Sequence, residues 1–221
     1  MSSLPGQIGE SKGLTKAICS FVVETRSADI PPAALESAKL LIFDTIGITL
    51  AASSLPIGKI ITQYVADANG RRVATVLGGG LKATPSMAAL ANGTMANTLD
   101  FDGGWHTTTH VVPSALAVVE HQKLSGHDLL DAFVIGAEVG KRLTETFDTS
   151  RQVKATRAAK TSGPTARGHW HVGLAGPIAT AAVAARLLKL STEQTAMAIG
   201  IATCSAGGFR RNMGTMSKAF H

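Results

Sequence analysis

Apolar positions recur at helical spacing through most of the chain, and the breaks between runs fall at proline and glycine. Leu14, Ala17, Ile18, Phe21 and Val22 mark a first helix from Leu14 to Thr25. Asp29-Ile30-Pro31-Pro32 ends it, and proline in a first turn suits the start of the next. That second helix, Pro32 to Ala52, is long and strongly apolar (Ala38, Leu41, Ile42, Ile46, Ile48), the pattern of a helix central to a bundle. A Ser53-Ser54-Leu55-Pro56 turn leads into a third helix reaching Ala68, and Asn69-Gly70 signals a turn. Arg72 to Leu77 reads as a short strand in need of a partner, and Gly78-Gly79-Gly80 ends it. Further helices are predicted from Pro85 to Leu99, Pro113 to Lys123, Asp128 to Thr146 and Ile178 to Leu188. A last one runs from the Ser191-Thr192-Glu193-Gln194 cap to Cys204. Ser125-Gly-His-Asp128 reads as a turn with an N-cap. Residues 148–167 are polar and basic without periodicity, a loop or short helix, and residues 1–12 are a flexible lead. The fold class is therefore all-α: a multi-helix bundle over residues 13–221 with at most one short strand or hairpin.

Composition supports this. Hydrophobic residues make up 45%, enough for a sizeable core, while aromatics are only 5% and glycine contributes 23 residues, which favours closely packed helices over a β-sandwich. The two cysteines, Cys19 and Cys204, lie far apart in apolar patterns and read as buried free thiols. The N-terminal residues lack the apolar core of a signal peptide, and no apolar run is long enough to span a bilayer, so a cytoplasmic or organelle-matrix location is expected. Three glycines after the strand lack the Gly-Lys-Ser/Thr of a phosphate loop and read as a turn.

Charge is unevenly placed. The net charge is +6, but residues 151–221 hold ten Lys/Arg against one acid, Glu193. No nucleic-acid motif or aromatic–basic interleaving accompanies this excess, so an anionic ligand, or an acidic partner segment missing here, is expected, with no nucleic acid and no membrane.

The candidate chemistry gathers in three stretches. Leu99-Asp-Phe-Asp-Gly-Gly-Trp-His-Thr-Thr-Thr-His110 carries Asp100, Asp102, Trp105, His106 and His110. Arg167-Gly-His-Trp-His-Val-Gly173 carries His169, Trp170 and His171. The last residues carry Arg210, Arg211, Lys218 and His221. His106 and His110 have the i, i+4 spacing of a metal pair, but that needs a helix through three consecutive threonines, poor helix sequence. A metal-free acid–base site is the better reading. Histidine supplies a base near neutrality, and Lys218, Arg210 or a helix N-terminus can meet developing negative charge.

Five segments in order resemble the MmgE/PrpD family: Ala91-Asn-Gly-Thr-Met-Ala-Asn-Thr-Leu-Asp-Phe-Asp102, His110-Val-Val-Pro-Ser114, Ser125-Gly-His-Asp-Leu-Leu-Asp-Ala-Phe-Val-Ile-Gly-Ala-Glu-Val139, Gly173-Leu-Ala-Gly-Pro177 with Ala-Ala-Arg-Leu-Leu188, and Gly214-Thr-Met-Ser-Lys218. The family includes 2-methylcitrate dehydratase, cis-aconitate decarboxylase and iminodisuccinate epimerase. The resemblance covers Leu14 to His221. It implies a large helical domain, usually dimeric, a smaller α+β lid, and a cofactor-free, metal-free active site between them. Members are roughly twice as long, so the lid domain and the C-terminal helices are expected to be missing here.

Carried over by motif, Asp100, His110 and Lys218 match family site residues, and His171 is taken for the histidine of the second motif, with His169 as the alternative. Gly168-His-Trp-His-Val-Gly173 is either a residue shorter than the family pattern or places Trp170 where histidine is expected. The implied catalytic set is Asp100, His110, His171 and Lys218, with His106, His169, Arg210 and His221 contacting substrate. The implied function is lyase-type, a 2-methylcitrate dehydratase of propionate catabolism acting on a small di- or tricarboxylate as a homodimer. Decarboxylation and epimerisation on the same scaffold, and a non-catalytic truncated helical module that dimerises, are the alternatives. Gly104 stands where decarboxylase-like members place a threonine.

Overall fold

The computed structural model describes residues 13–68, 70–103, 106–147 and 167–220. The expected flexible lead at 1–12, Asn69 of the predicted turn, Gly104, Trp105, nearly all of the expected loop at 148–167, and His221 lie outside the described residues. Within them the chain is all-α, as expected: α1 Leu14–Glu24, α2 Pro32–Ser53, α3 Pro56–Asp67, α4 Pro85–Ala96, α5 Thr108–Gln122, α6 Gly126–Phe147, α7 His171–Leu187 and α8 Thr192–Thr203. A two-stranded antiparallel hairpin, β1 Ala74–Val76 and β2 Leu81–Ala83, interrupts them in register Thr75 to Lys82. The strand's partner is thus the next segment, brought back by Gly78 and Gly80 at φ 69° and 68°, where glycine carries no steric cost.

Three apolar clusters meet along α5, α6 and α7. One joins α2 to these helices through Ile42, Val112, Phe133 and Val183; a second seats α3, α4 and the hairpin on Ile61, Val76 and Met95; a third packs α1 and α8 on Ile135, Val139 and Ala182. The α6–α7 seam is close because glycine allows it. A Cβ at Gly136 would lie 2.1 Å from Val183 Cγ2, and one at Gly140 would lie 3.0 Å from Ala179 Cβ. The buried hydroxyls of α2 return to their own helix, Thr45 donating to the Leu41 carbonyl at 2.8 Å and Thr49 to that of Thr45 at 2.7 Å. Ser191 and Gln194 form the expected capping box of α8, and Ser125 and Asp128 cap α6 reciprocally.

Two helices begin earlier than their prolines suggest, with consequences for the site. α5 starts at Thr108 and α7 at His171, leaving Pro113 and Pro177 inside helices. Pro177 has no N–H, so the Gly173 carbonyl loses its helical donor. The Gly207 N–H replaces it at 3.1 Å. The Trp170 N–H donates to Gly208 and the Arg210 N–H to Gly168, which lays residues 207–210 antiparallel beside 168–173. Gly173 permits that approach, since a Cβ there would meet the Gly207 carbonyl at 2.1 Å. Of the two cysteines, Cys19 is buried as expected, but Cys204 at the end of α8 is exposed, because the apolar face of that helix (Met197, Ile201) faces outward. Among the described residues no single helix is long and apolar enough to cross a membrane; only α2 and α3 together reach that length, bent by 89°.

Candidate active site

Helix α4 ends at Ala96 and α5 begins at Thr108, and between them stand two left-handed non-glycine residues, Asp100 at φ 55° and His106 at φ 60°. Each costs on the order of 1 kcal/mol relative to a relaxed backbone, and such outliers concentrate where side-chain placement matters. The helix does run through Thr108, Thr109 and His110 despite the β-branched run. Because His106 precedes it in a left-handed turn, His106 and His110 are not presented together as a helical i, i+4 metal pair.

Lys218 comes from the 3₁₀ turn Met216–Phe220 and is buried, 5% exposed. Its ammonium donates to the Asn97 carbonyl at 3.1 Å, to Asn97 Oδ1 at 3.0 Å and to Asp100 Oδ1. Three acceptors take its three donors, and the Asn97 amide returns a hydrogen bond to the Lys218 carbonyl at 3.2 Å. The fourth side is an aromatic face: the ammonium sits 5.6 Å from the Trp170 ring centroid, within cation–π range. Burying this charge is tolerable only with such partners.

Asp102 is withdrawn completely from solvent at its side chain, whereas the Asp100 carboxylate is 54% exposed. Asp102 Oδ1 lies 2.7 Å from His106 Nδ1, and Oδ2 accepts from the Thr108 hydroxyl at 3.1 Å. The Asp100 carboxylate is farther from His106, at 3.9 Å. The carboxylate that orients a histidine is therefore Asp102 rather than Asp100, and the histidine it orients is His106. The Thr109 hydroxyl holds the His106 carbonyl at 2.7 Å, and the edge of Trp170 closes the cluster with its ring 6.2 Å from that of His106.

His110 occupies the first turn of α5 against bare backbone: a Cβ at Gly176 would come within 2.8–2.9 Å of three of its ring atoms. Its Nε2 is sealed and has no hydrogen-bond partner among the described residues. Burial, with smaller contributions from His106 and Lys218, pushes its pKa down to about 4. It also borders an open cleft of about 240 Å³ shared with Ser114 and Thr180.

The second motif is arranged around its tryptophan. Trp170, 3% exposed, reaches Lys218 and His106. His169 stacks on Phe209 with centroids 5.4 Å apart, and His171 is the first residue of α7. Arg210 is exposed in its own 3₁₀ turn. The structure thus brings together Asp100, His106 and Lys218 of the expected set and adds Asn97, Asp102 and Trp170. Asp102 and Trp170 stood in the chemically dense stretches, and Asn97 lay in the Ala91–Asp102 motif with no charge to mark it. Asp100, Asp102 and His106 hold their ligand atoms within 4.8 Å of one another, close enough for a divalent cation. A metal there would have to displace the Lys218 ammonium from Asp100 and break the Asp102–His106 hydrogen bond.

Comparison with known proteins places this geometry in a family setting. The model described as MmgE/PrpD N-terminal domain matches residues 16–221. A cis-aconitate decarboxylase-like protein of Aspergillus oryzae is 30% identical over 88% of this chain and 40% of its own length. The cis-aconitate decarboxylases of Homo sapiens and Aspergillus terreus are each 27% identical, over 95% and 89% of this chain and 43% and 40% of their own. The chain therefore spans about two-fifths of the length of these relatives.

Proposed function

The chain belongs to the MmgE/PrpD family, and from that membership we propose that it forms the helical part of a lyase acting on a small polycarboxylate, with decarboxylation of a cis-aconitate-like substrate as its reaction. The relatives are named as cis-aconitate decarboxylases or decarboxylase-like, which supports this reaction over the dehydration of 2-methylcitrate. One observation carries the substrate class: a buried ammonium whose only charged partner among the described residues is a half-exposed carboxylate. Asp100 holds the place at Lys218 that a substrate carboxylate would take. The exchange is favourable in principle, because one anion replaces another on a desolvated cation while Asp100 returns to water. Aspartate, histidine and lysine then supply charge and proton transfer without a cofactor.

Dehydration stays as the second reading because Gly104 stands where decarboxylase-like members of the family place a threonine. A homodimer belongs to the same proposal, supported by the outward apolar face of α2, where Leu40 and Phe43 are 71% and 78% exposed. A cytoplasmic setting is likewise part of it.

The test is turnover by the natural polypeptide that carries this sequence. It is incubated with cis-aconitate and with 2-methylcitrate, the products are read by NMR, and mass in solution is read by light scattering. Loss of carbon dioxide from cis-aconitate supports the first reading and loss of water from 2-methylcitrate the second. A folded protein that converts neither, and binds neither, ends the lyase reading and leaves a helical assembly module.

A further inference from the structure

We propose that Asn97 is the positioning residue of the Lys218 anion site, holding the ammonium from the inside so that one donor is left for one substrate carboxylate. The inference rests on the lyase reading above and names the residue that sets how its anion site is presented. Asn97 is the C-cap of α4, with its own N–H on the Gly93 carbonyl at 3.0 Å, and it is buried. Its carbonyl and Oδ1 take two donors of the Lys218 ammonium at 3.1 and 3.0 Å, and its Nδ2 donates to the Lys218 carbonyl at 3.2 Å. That last bond fixes the amide: turned over, it would set its NH2 group against the ammonium. The position at the end of α4 adds to the hold, because the carbonyl end of a helix favours a cation.

The partners of this ammonium differ in what a ligand can do to them. Asn97 is enclosed and neutral, and Trp170 closes another side with an aromatic face. Asp100 carries the negative charge and is half exposed. An incoming carboxylate can displace Asp100, which returns to water, while Asn97 stays in place. The neutrality of the inner partner matters. A carboxylate at position 97 would meet the ammonium's charge from within and weaken its pull on any anion outside. With two of three donors spent on Asn97, the site takes a carboxylate end-on, through one oxygen.

Asn97 also ties this point to the fold. Lys218 arrives on the 3₁₀ turn Met216–Phe220, 121 positions later in the chain. One residue grips it at both ends, at the backbone carbonyl and at the ammonium. Without that grip the side chain would follow Asp100 toward solvent, and the resting site would close on its own carboxylate.

Proton–nitrogen NMR of the lysine ammonium groups, together with steady-state kinetics, tests this on the natural polypeptide carrying the chain, with cis-aconitate as the probe. Wild type is expected to show an ammonium signal protected from solvent exchange, absent in Lys218→Met and shifted by cis-aconitate. Asn97→Ala should lose that signal to exchange and raise KM. Asn97→Asp keeps the shape and both acceptors but adds the charge. It should raise KM further than Asn97→Ala does, by about tenfold or more over wild type, with kcat changed less. Both variants lose the bond to the Lys218 carbonyl, so that loss cancels between them. A merely structural role predicts the opposite order, because alanine leaves the larger hole. A protected ammonium in folded Asn97→Ala overturns the grip on Lys218. A KM in Asn97→Asp no higher than in Asn97→Ala overturns the need for a neutral partner. Should Asn97→Ala fail to fold, Asn97→Asp against wild type decides, and an unchanged KM ends the proposal. A wild type that converts no cis-aconitate sinks the lyase reading itself, while the ammonium signal still judges the hold of Asn97 on Lys218.

Discussion

His106 and His110 are four residues apart and meet opposite surroundings. His106 sits before α5 in a left-handed turn, partly exposed, with a buried carboxylate on one nitrogen. His110 sits one turn into α5, its ring against the backbone of α7, with its free nitrogen sealed and its pKa pushed down to about 4. The same side chain meets a carboxylate in one place and bare backbone in the other. What separates them is the start of a helix at Thr108, which turns one ring toward Asp102 and the other into the α5–α7 contact. Residue type alone therefore does not fix a histidine's surroundings; the backbone around it does.

The most damaging way to break the polar half of this comparison is Gly173→Ala. Its Cβ would meet the Gly207 carbonyl at 2.1 Å, a backbone atom that cannot step aside. The segment that delivers Lys218 would be pushed off α7. A loss of roughly 2–4 kcal/mol in urea unfolding is expected, with weakened carboxylate binding by calorimetry. Retained stability would mean that residues 207–210 do not depend on this contact.

The packing half is read most directly through pH. His110 has a folded pKa near 4, below its ordinary 6.5, so the unfolded chain binds more protons between those values. Stability is complete above pH 6.5, falls as pH drops through the window, and levels off below about 4, for a total of roughly 3 kcal/mol at most. His110→Gln should flatten that part of a stability-versus-pH curve. An unaltered slope would show that His110 is not the buried neutral group described.

Gly176→Ala sharpens the same point at smaller cost. The added methyl would press on the His110 ring at 2.8–2.9 Å, and a loss of about 1–3 kcal/mol in thermal unfolding is expected. The His106 resonances should stay in place; if they shift instead, the two histidines are mechanically linked. The smallest effect should come from Thr109→Val, which removes the 2.7 Å bond to the His106 carbonyl. About 1 kcal/mol is expected, together with broadening of the His106 signals. No change in either would leave the left-handed turn supported by Asp102 alone.

Much of the helical framework was legible along the chain. Periodicity found all eight α-helices among the described residues, and the capping residues at Ser125 and Ser191 located two starts to within a few residues. The misplacements share one cause. The sequence starts one helix at Pro113, where proline is tolerated at no cost in hydrogen bonds, and another just after Pro177. In the folded chain both lie inside helices, and the carbonyl that Pro177 strands is taken by Gly207, a residue thirty positions later. No local pattern announces a donor that arrives from another segment. Cys204 was misread for a similar reason: apolar spacing on α8 says that a face is oily, not that something covers it.

The chain by itself determined the helix inventory, the close helix packing that its small residues favour, and the three short stretches where acids, histidines and lysine concentrate. These follow from period, size and charge, which are properties of neighbours in sequence. Tertiary structure decided which of those groups meet. It set Lys218 on Asn97 and Asp100, turned Asp102 rather than Asp100 to a histidine, and brought Trp170 of the second motif to the centre. Those outcomes hinge on two left-handed residues, one stranded carbonyl and one glycine close approach. Each is a matter of ångströms between segments far apart in the chain, where sequence spacing carries no information about distance.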